Sequence, residues 1–462
     1  MTRSSDSRAH RGPVPVVLVG ARGHGRWHLR NIGRLARQGV VRLVGICELT
    51  PLDAGELAEL HGPEGPGEPA GPAAPAGPEG LAGPVGLAGP DGVVAPEQSD
   101  DLATLLDRTG AEVAVVCTPI HTHAELGLIA AARGVHLLLE KPPTPSLAAF
   151  HELAAGIGKA GVACQIGFQS LGSHAVRSIR ELVADGAIGA VRGIGAAGAW
   201  VRDEAYWRRA PWGGHRTLGG RDVVDGVLTN PLAHALATAL RIEGAERETD
   251  LAGIELELYR INDIDADDTS CARIRTAPRA GADGAAGGTD IVSAVTLCAE
   301  QPGEPYVMVH GEEGRITFWY KADRVLLERS GRPPETTEHG RTDLLVNLVD
   351  HLRDGTPLLV PLERTGAFTR LVEAVRTAPE PTRLPPDAWR VERGDRGPRR
   401  VIPGIDGLTA EGARRLALFS ELGAPWAVPA APATAEPATA EPAVVEPARH
   451  SAGTADDKEA MS

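Results

Sequence analysis

Val14-Pro15-Val16-Val17-Leu18-Val19-Gly20-Ala21-Arg22-Gly23-His24-Gly25 opens the ordered pattern of this chain. Its first half is an unbroken apolar run rich in β-branched valine, which suits a strand buried on both faces. Glycines at 20, 23 and 25 interrupt the run, and Gly25–Arg37 continues with helical spacing of Trp27, Ile32 and Leu35. A strand that passes through a glycine-rich turn into a helix is how a parallel α/β sheet begins.

Reading outward, the alternation persists. Val41–Cys47 is a second strand closed by Glu48, and Thr50-Pro51 has the chemistry of a helix start, Thr as cap and Pro at the first position. Asp101–Thr109 and His123–Arg133 read as helices, and Val113–Cys117 and His136–Leu139 as strands. Beyond Pro145 the character changes. Helices at Leu147–Lys159 and His174–Asp185 give way to the strand-like runs Ile254–Ile261, Thr269–Arg275, Ile291–Cys298, Tyr306–His310 and Arg315–Tyr320. Helical spacing returns at Asp343–Leu352 and Phe368–Ala378.

The expected fold class is therefore α/β: an N-terminal Rossmann parallel sheet, then a C-terminal α+β domain with a large, mainly antiparallel sheet. Residues 1–13 read as a flexible N-terminus, 14–145 as the Rossmann domain, 146–425 as the α+β domain and 426–462 as a disordered acidic tail. Between 62 and 92 stand ten Gly and eight Pro, with glycine at every third position from Gly77 to Gly92. A collagen-like triple helix needs three chains and more repeats, so this stretch reads as a disordered insert. The tail repeats a five-residue unit ending in Glu-Pro and has nothing with which to bury a core.

The formal net charge of −14 over 462 residues, with a pI near 5.6, opposes a nucleic-acid partner, which requires clustered cations. No apolar run approaches membrane-spanning length, and the first residues lack the apolar core of a signal peptide. Five scattered cysteines without a CxxC pair suit buried thiols in a reducing, cytoplasmic compartment and imply no metal site.

At a strand end that opens a helix, Gly20, Gly23 and Gly25 fit a pyrophosphate-binding turn whose backbone amides, His24's included, face the phosphates. The middle glycine of GxGxxG is replaced by Arg22, which either points away or pairs with phosphate. Glu48, ending the second strand, is placed to accept both ribose hydroxyls and to repel a 2′-phosphate, so NAD is favoured over NADP. The alternative is that Glu48 only caps the next helix.

From Ala114 to Pro143 the chain resembles the glucose-fructose oxidoreductase and inositol dehydrogenase family, Gfo/Idh/MocA. Val115-Val116-Cys117-Thr118-Pro119, His123, and Gly134 to Glu140-Lys141-Pro142 carry the likeness; Gly167-Phe168-Gln169, the Gly186–Val191 turn, Asp267-Asp268-Thr269 and Gly311–Ile316 extend it. The resemblance implies an NAD(P)-dependent oxidoreductase acting on CH–OH groups of a polyol or sugar, with Lys141 as the group that takes the hydroxyl proton and steadies the alkoxide. It also places Glu140, Thr118, Pro119, His123 and Gln169 around the nicotinamide half of the cofactor. His123 reads equally as a residue that only packs locally. The bond before Pro142 is expected to be cis by the same resemblance.

The substrate side departs from the family pattern. Gly219-Gly220 leads to Asp225, but the usual histidine slot holds Thr229, and Asn230-Pro231-Leu232-Ala233-His234 follows. Asn230 reads as a helix cap with Pro231 at the first position. His234, a turn deeper, reads as the replacement imidazole or as a buried helix histidine; Asp225 reads as orienting the substrate. Trp207, Arg208, Trp212 and Asn230 supply candidate substrate contacts, although an aromatic and Arg-rich loop also suits a subunit interface. A homo-oligomer, dimer or tetramer, is expected by the same resemblance. Two other functions stand beside the dehydrogenase: redox-neutral sugar lyase or glycosidase chemistry on bound NAD, and a non-catalytic dinucleotide-binding regulator.

Overall fold

The computed structural model describes residues 12–61, 95–278, 288–394 and 397–429, together with the backbone of 431 and 432. The expected glycine/proline insert at 62–92, the first eleven residues and the acidic repeats lie outside the described residues.

The first half alternates strand and helix: β1 (Val14–Val19), α1 (Gly25–Arg37), β2 (Val41–Cys47), α2 (Ala54–Ala58), β3 (Glu97–Ser99), α3 (Leu102–Thr109), β4 (Val113–Val116), α4 (His123–Ala131), β5 (His136–Leu139), α5 (Leu147–Ala160) and β6 (Cys164–Ile166). The strands form one parallel sheet in the order β3-β2-β1-β4-β5-β6. Sequence order reverses between β1 and β4, the crevice at which doubly wound sheets hold ligands. Bonds from Gly20 N to Cys47 O, Cys117 N to Val19 O, Glu140 N to Val116 O and Gly167 N to Leu139 O carry the ladder past the strand ends. Gly20, Cys117, Glu140 and Gly167 thereby finish along one rim.

The second half contains α6 (His174–Ala184), β7 (Val191–Ala199), α7 (Glu204–Trp207), the short hairpin β8 (Thr217–Leu218) and β9 (Arg221–Asp222), and α8 (Ala233–Glu243). Strands follow: β10 (Leu251–Arg260), β11 (Thr269–Thr276), β12 (Asp290–Thr296), β13 (Tyr306–Gly311), β14 (Gly314–Trp319), β15 (Arg324–Arg329) and β16 (Glu335–Glu338). After α9 (Leu344–Asp354) and α10 (Gly366–Thr377) come β17 (Thr382–Arg383), the hairpin β18 (Arg390–Gly394) and β19 (Gly397–Val401), α11 (Ile405–Arg415) and β20 (Ala431–Pro432). The large sheet runs β16-β15-β14-β13-β7-β12-β11-β10-β17, with β20 also on β10. It is mixed: β7 pairs with β12, and β10 with β17, in parallel, while the other named pairs are antiparallel.

Its two faces are covered differently. One belongs to the main core, with α8 packed on β7, β12 and β13 and α10 on β10. The other bears α11 and a separate cluster in which Tyr259, Cys271, Val292 and Ala294 meet Ile405, Leu418 and Phe419, with Trp426 beside them.

Several expectations change. Thr50-Pro51 does not start a helix: Asp53 caps α2, with a reciprocal capping box to Glu56. Asn230-Pro231 is likewise not a helix start, since α8 begins at Ala233 after Leu232. The parallel sheet takes its last strand from 164–166, past the expected boundary at 145. The folded body also runs past 425, where Trp426 packs edge-on against Tyr259 at 5.0 Å. The sequence pattern gives no sign of β7, because Gly193, Gly195 and Gly198 are poor strand formers. A Cβ at Gly195 would lie 2.0 Å from Ala413 O of α11, and one at Gly198 2.8 Å from Leu232. The glycines let two layers approach β7 closely.

Candidate active site

The glycine loop needs glycine at its turning points. Gly20 has φ +79° and Gly23 φ +58°, both in the left-handed region. Gly25 has no such φ, but a Cβ there would sit 1.9 Å from Gly20 O, so helix and turn close only without a side chain. His24 caps α1 without a side-chain hydrogen bond to the first turn. Arg22 points away from this turn: its guanidinium donates to Glu56 at 2.8 and 2.9 Å and to Thr50 O at 2.9 Å. Of its two open readings the geometry matches the one in which Arg22 turns from the phosphates, since the α2 carboxylate holds it. Glu48 accepts from Ala21 N at 2.9 Å and from Leu49 N at 3.2 Å, and it does not cap α2.

Glu140 is buried beneath this loop, among partners from the chain itself. Its Oε1 accepts from His28 Nε2 at 2.8 Å and Gln169 Nε2 at 2.7 Å, its Oε2 accepts from Lys141 N at 3.1 Å, and His24 Nε2 lies 3.5 Å from Oε1. Burial alone would raise its carboxyl, but the charges and hydrogen bonds of His24 and His28 outweigh it and hold the group well below the usual range. Gly167 makes room, since a Cβ there would lie 2.7 Å from Glu140 Oε1. His24, His28 and Glu140 are the one trio of metal-type donors found together among the described residues; His28 hydrogen-bonds Glu140, and His24 lies 3.5 Å from it.

His123 is buried, with Nε2 2.8 Å from Thr118 O and Nδ1 3.0 Å from Pro142 O. Of its two open readings the structure favours the local one: the ring ties the β4 loop to the cis Lys141-Pro142 turn. Thr118 bonds Thr122 at 2.6 Å, and Pro119 O accepts from Thr122 Oγ1 at 2.8 Å. Gln169 Oε1 is buried without a hydrogen-bond partner.

Lys141 Nζ donates to both Asn230 O and Asn230 Oδ1, each at 2.8 Å. Asn230 Nδ2 donates in turn to Asp225 Oδ1 at 2.6 Å. Asp225 is buried and also accepts from Gly214 N at 2.7 Å and Arg209 Nη2 at 2.7 and 2.9 Å. Both of its oxygens are engaged by neighbours within the chain. Asn230 is a lysine-holding side chain in place of a cap.

His234 Nδ1 lies 3.3 Å from Ser170 Oγ, which accepts from Thr238 Oγ1 at 3.0 Å. With the Ser170 hydroxyl donating to Nδ1, the imidazole carries its proton on Nε2. Burial, and after it the Lys141 charge, push this imidazole down to about 3, so it is neutral at physiological pH. It offers an N–H donor and not an imidazolium. Thr229, in the expected histidine slot, is buried and bonds Val224 O.

Trp207 is buried against Tyr206, with ring centroids 4.9 Å apart, and belongs to the core. Arg208 pairs with Glu204 at 2.8 Å on the surface, its side chain 77% exposed. Both substrate assignments are corrected; the Glu204/Arg208 spacing of one helical turn already signals a surface pair. Trp212 is half-buried with Arg209 over its ring at 4.5 Å. It is Arg209 and not Arg208 that reaches Asp225, and nothing in the local sequence separates the two.

Residues 90–168 match the GFO_IDH_MocA family model, described as an oxidoreductase family with an NAD-binding Rossmann fold. Over those residues the chain is similar to the Gfo/Idh/MocA oxidoreductase family. The scyllo-inositol 2-dehydrogenase (NAD(+)) of Bacillus subtilis (strain 168) is 30% identical over 91 residues, 20% of this chain and 27% of that relative. The 2,7-anhydro-N-acetylneuraminate hydratase of Mediterraneibacter gnavus is 35% identical over 91 residues, 20% of this chain and 24% of that relative. The chain thus spans about a quarter of the length of the curated relatives it matches. The WlbA dehydrogenase of Bordetella pertussis, solved with NADH and UDP-GlcNAcA, is similar in fold at TM-score 0.57 and 17% identity, covering 79% of this chain and 95% of that one. Within the Gfo/Idh/MocA match lies the Glu-Lys-Pro turn at 140–142; the Asn230 and Arg209 contacts lie outside it.

Proposed function

We propose that the chain is an NAD-dependent oxidoreductase acting on a CH–OH group of a sugar, cyclitol or nucleotide sugar. The observation that carries this is the Glu140–His28 bond, which pins the Lys141 turn to the helix that opens behind the glycine loop. The glycine positions that a Cβ would fill, and Glu48 at the strand end, fit a dinucleotide across the switch point between β1 and β4. The loop amides and the start of α1 would hold its pyrophosphate, Glu48 its ribose hydroxyls, and Gln169 Oε1 would accept from its carboxamide. Bound NAD supplies a hydride acceptor.

The chain's own residues supply the proton chemistry. Lys141, in its neutral amine form and released from Asn230 by a substrate hydroxyl, takes the hydroxyl proton to become an ammonium, whose charge then steadies the oxygen. His234, neutral and protonated on Nε2, donates a hydrogen bond to a second substrate oxygen. The relatives' names, an inositol dehydrogenase and a structure with a nucleotide sugar, support the substrate class.

A second reading, redox-neutral chemistry on the same site, is favoured by the hydratase relative and by Thr229 in the histidine slot. Buried or half-buried free cysteines support a reducing, cytoplasmic setting. A homo-oligomer would use the part of the large sheet toward β16 that α11 leaves uncovered.

The test is NADH absorbance over a panel of polyols, sugars and nucleotide sugars. Net NADH formation supports the dehydrogenase, product without net NADH supports the redox-neutral route, and binding without turnover would leave only a regulator. Lys141→Ala is expected to lower turnover by ~10²–10⁴ while NADH binding persists; an unimpaired rate removes the lysine from the chemistry.

A further inference from the structure

A line of polar groups runs from Lys141 to a loop in the second domain. Lys141 Nζ donates to Asn230 Oδ1 at 2.8 Å, Asn230 Nδ2 donates to Asp225 Oδ1 at 2.6 Å, and Arg209 Nη2 bridges both Asp225 oxygens at 2.9 and 2.7 Å. The amide has one permitted orientation, because an ammonium only donates and a carboxylate only accepts. Arg209 is itself held, with its guanidinium 4.0 Å from the Tyr206 ring centroid and 4.5 Å from that of Trp212. The Arg209 side chain is 10% exposed and that of Asp225 1%, so little water screens their charges.

We infer that Arg209 is a positioning residue that sets the proton affinity of Lys141, acting through Asp225 and Asn230. The reasoning is electrostatic. Asp225 lies one amide away from the ammonium, and its negative charge reaches Lys141 only to the extent that Arg209 fails to neutralise it. With Arg209 present, the pair offers the lysine an orienting acceptor with little net charge. Without it, an uncompensated carboxylate tightens the lysine's grip on its proton and makes it a weaker base at neutral pH. Neutralising Asp225 instead leaves the Arg209 cation facing the ammonium and loosens that grip. Ionisable groups near Lys141 include Glu140 with His24 and His28 beside it, and His234 on α8, whose own surroundings include Arg341. The variants below leave all of them in place.

The inference rests on Lys141 being the proton-handling group of the proposed reaction, but its test needs neither substrate nor cofactor. The chain has four lysines, Lys141, Lys159, Lys321 and Lys458, so trace acetylation of the full chain across a pH series, read peptide by peptide in a mass spectrometer, reports each amine's titration. Arg209→Met is expected to raise the Lys141 midpoint by about one pH unit, and Asp225→Asn to lower it by a similar amount. The exposed Lys159 should titrate unchanged in both. If the buried Asp225→Asn variant does not fold, Asn230→Asp, which sets a carboxylate directly on the ammonium, should raise the midpoint further than Arg209→Met does. A Lys141 midpoint that stays put in Arg209→Met, or moves the same way in Arg209→Met and Asp225→Asn, overturns the inference. A wild-type chain that turns over nothing in the panel while these opposed shifts appear would overturn the oxidoreductase reading and leave the relay standing.

Discussion

Glu48 shows how much one side chain at a strand end decides. It hangs from Ala21 N, so its carboxylate is fixed beside the turn that would receive the dinucleotide, and the neighbouring cation Arg22 is committed to Glu56. A 2′-phosphate would meet the fixed negative charge of Glu48, and the nearby cation, Arg22 at 3.8 Å, is held by the Glu56 carboxylate. Glu48→Gln is therefore expected to raise NADP affinity relative to NAD by roughly tenfold, since like-charge juxtaposition is costly. Fluorescence titration of both cofactors checks this, and an unchanged ratio would mean that Glu48 does not face the ribose. The conformations of Gly20 and Gly25 and the strand-end place of Glu48 were legible because they follow from immediate sequence context. The partners of Glu140 and Asp225 were not legible because they are remote: Glu140 is bonded to His28 across 112 positions, and Asp225 is claimed by Arg209, Gly214 and Asn230 together.

Among the elements, the β1-turn-α1 unit is the one whose packing and function are hardest to separate. Its Gly25→Ala variant would drive a methyl group into Gly20 O, a backbone atom that cannot rotate away. The helix must then lift from the turn, which is expected to cost about 1–3 kcal/mol of stability and to weaken NADH binding at least tenfold. Calorimetry and a binding titration on the same sample test both halves; normal affinity would show that the turn is not the diphosphate site. Most of the Rossmann half was readable because its strands and helices announce their own period. β7 was not, since its glycines oppose strand propensity and make sense only once α11 and Leu232 are seen against them. Asn230-Pro231 misled in the opposite direction: it has the chemistry of a helix start, yet the lysine and the aspartate compete for the side chain and win.

For the whole molecule, the unexpected feature is the second core on the outer face of the large sheet. Phe419 is fully buried there, 6.4 Å from Tyr259 and 5.7 Å from Trp426 between ring centroids. If this layer is integral to the fold, Phe419→Ala should cost about 3–5 kcal/mol in urea unfolding. A loss below about 1 kcal/mol would mean that the C-terminal segment is a loosely held appendage. The sequence alone was enough for the strand–helix alternation of the parallel half, the glycine turn and the acidic strand end, because each depends on residues near in the chain and on backbone rules that act locally. Tertiary structure alone decided which arginine reaches the site, that His234 is neutral, that Asn230 holds the lysine, and that the chain covers the back of its own sheet. Those outcomes turn on burial and on competition among distant partners for the same few hydrogen bonds, which no local pattern encodes.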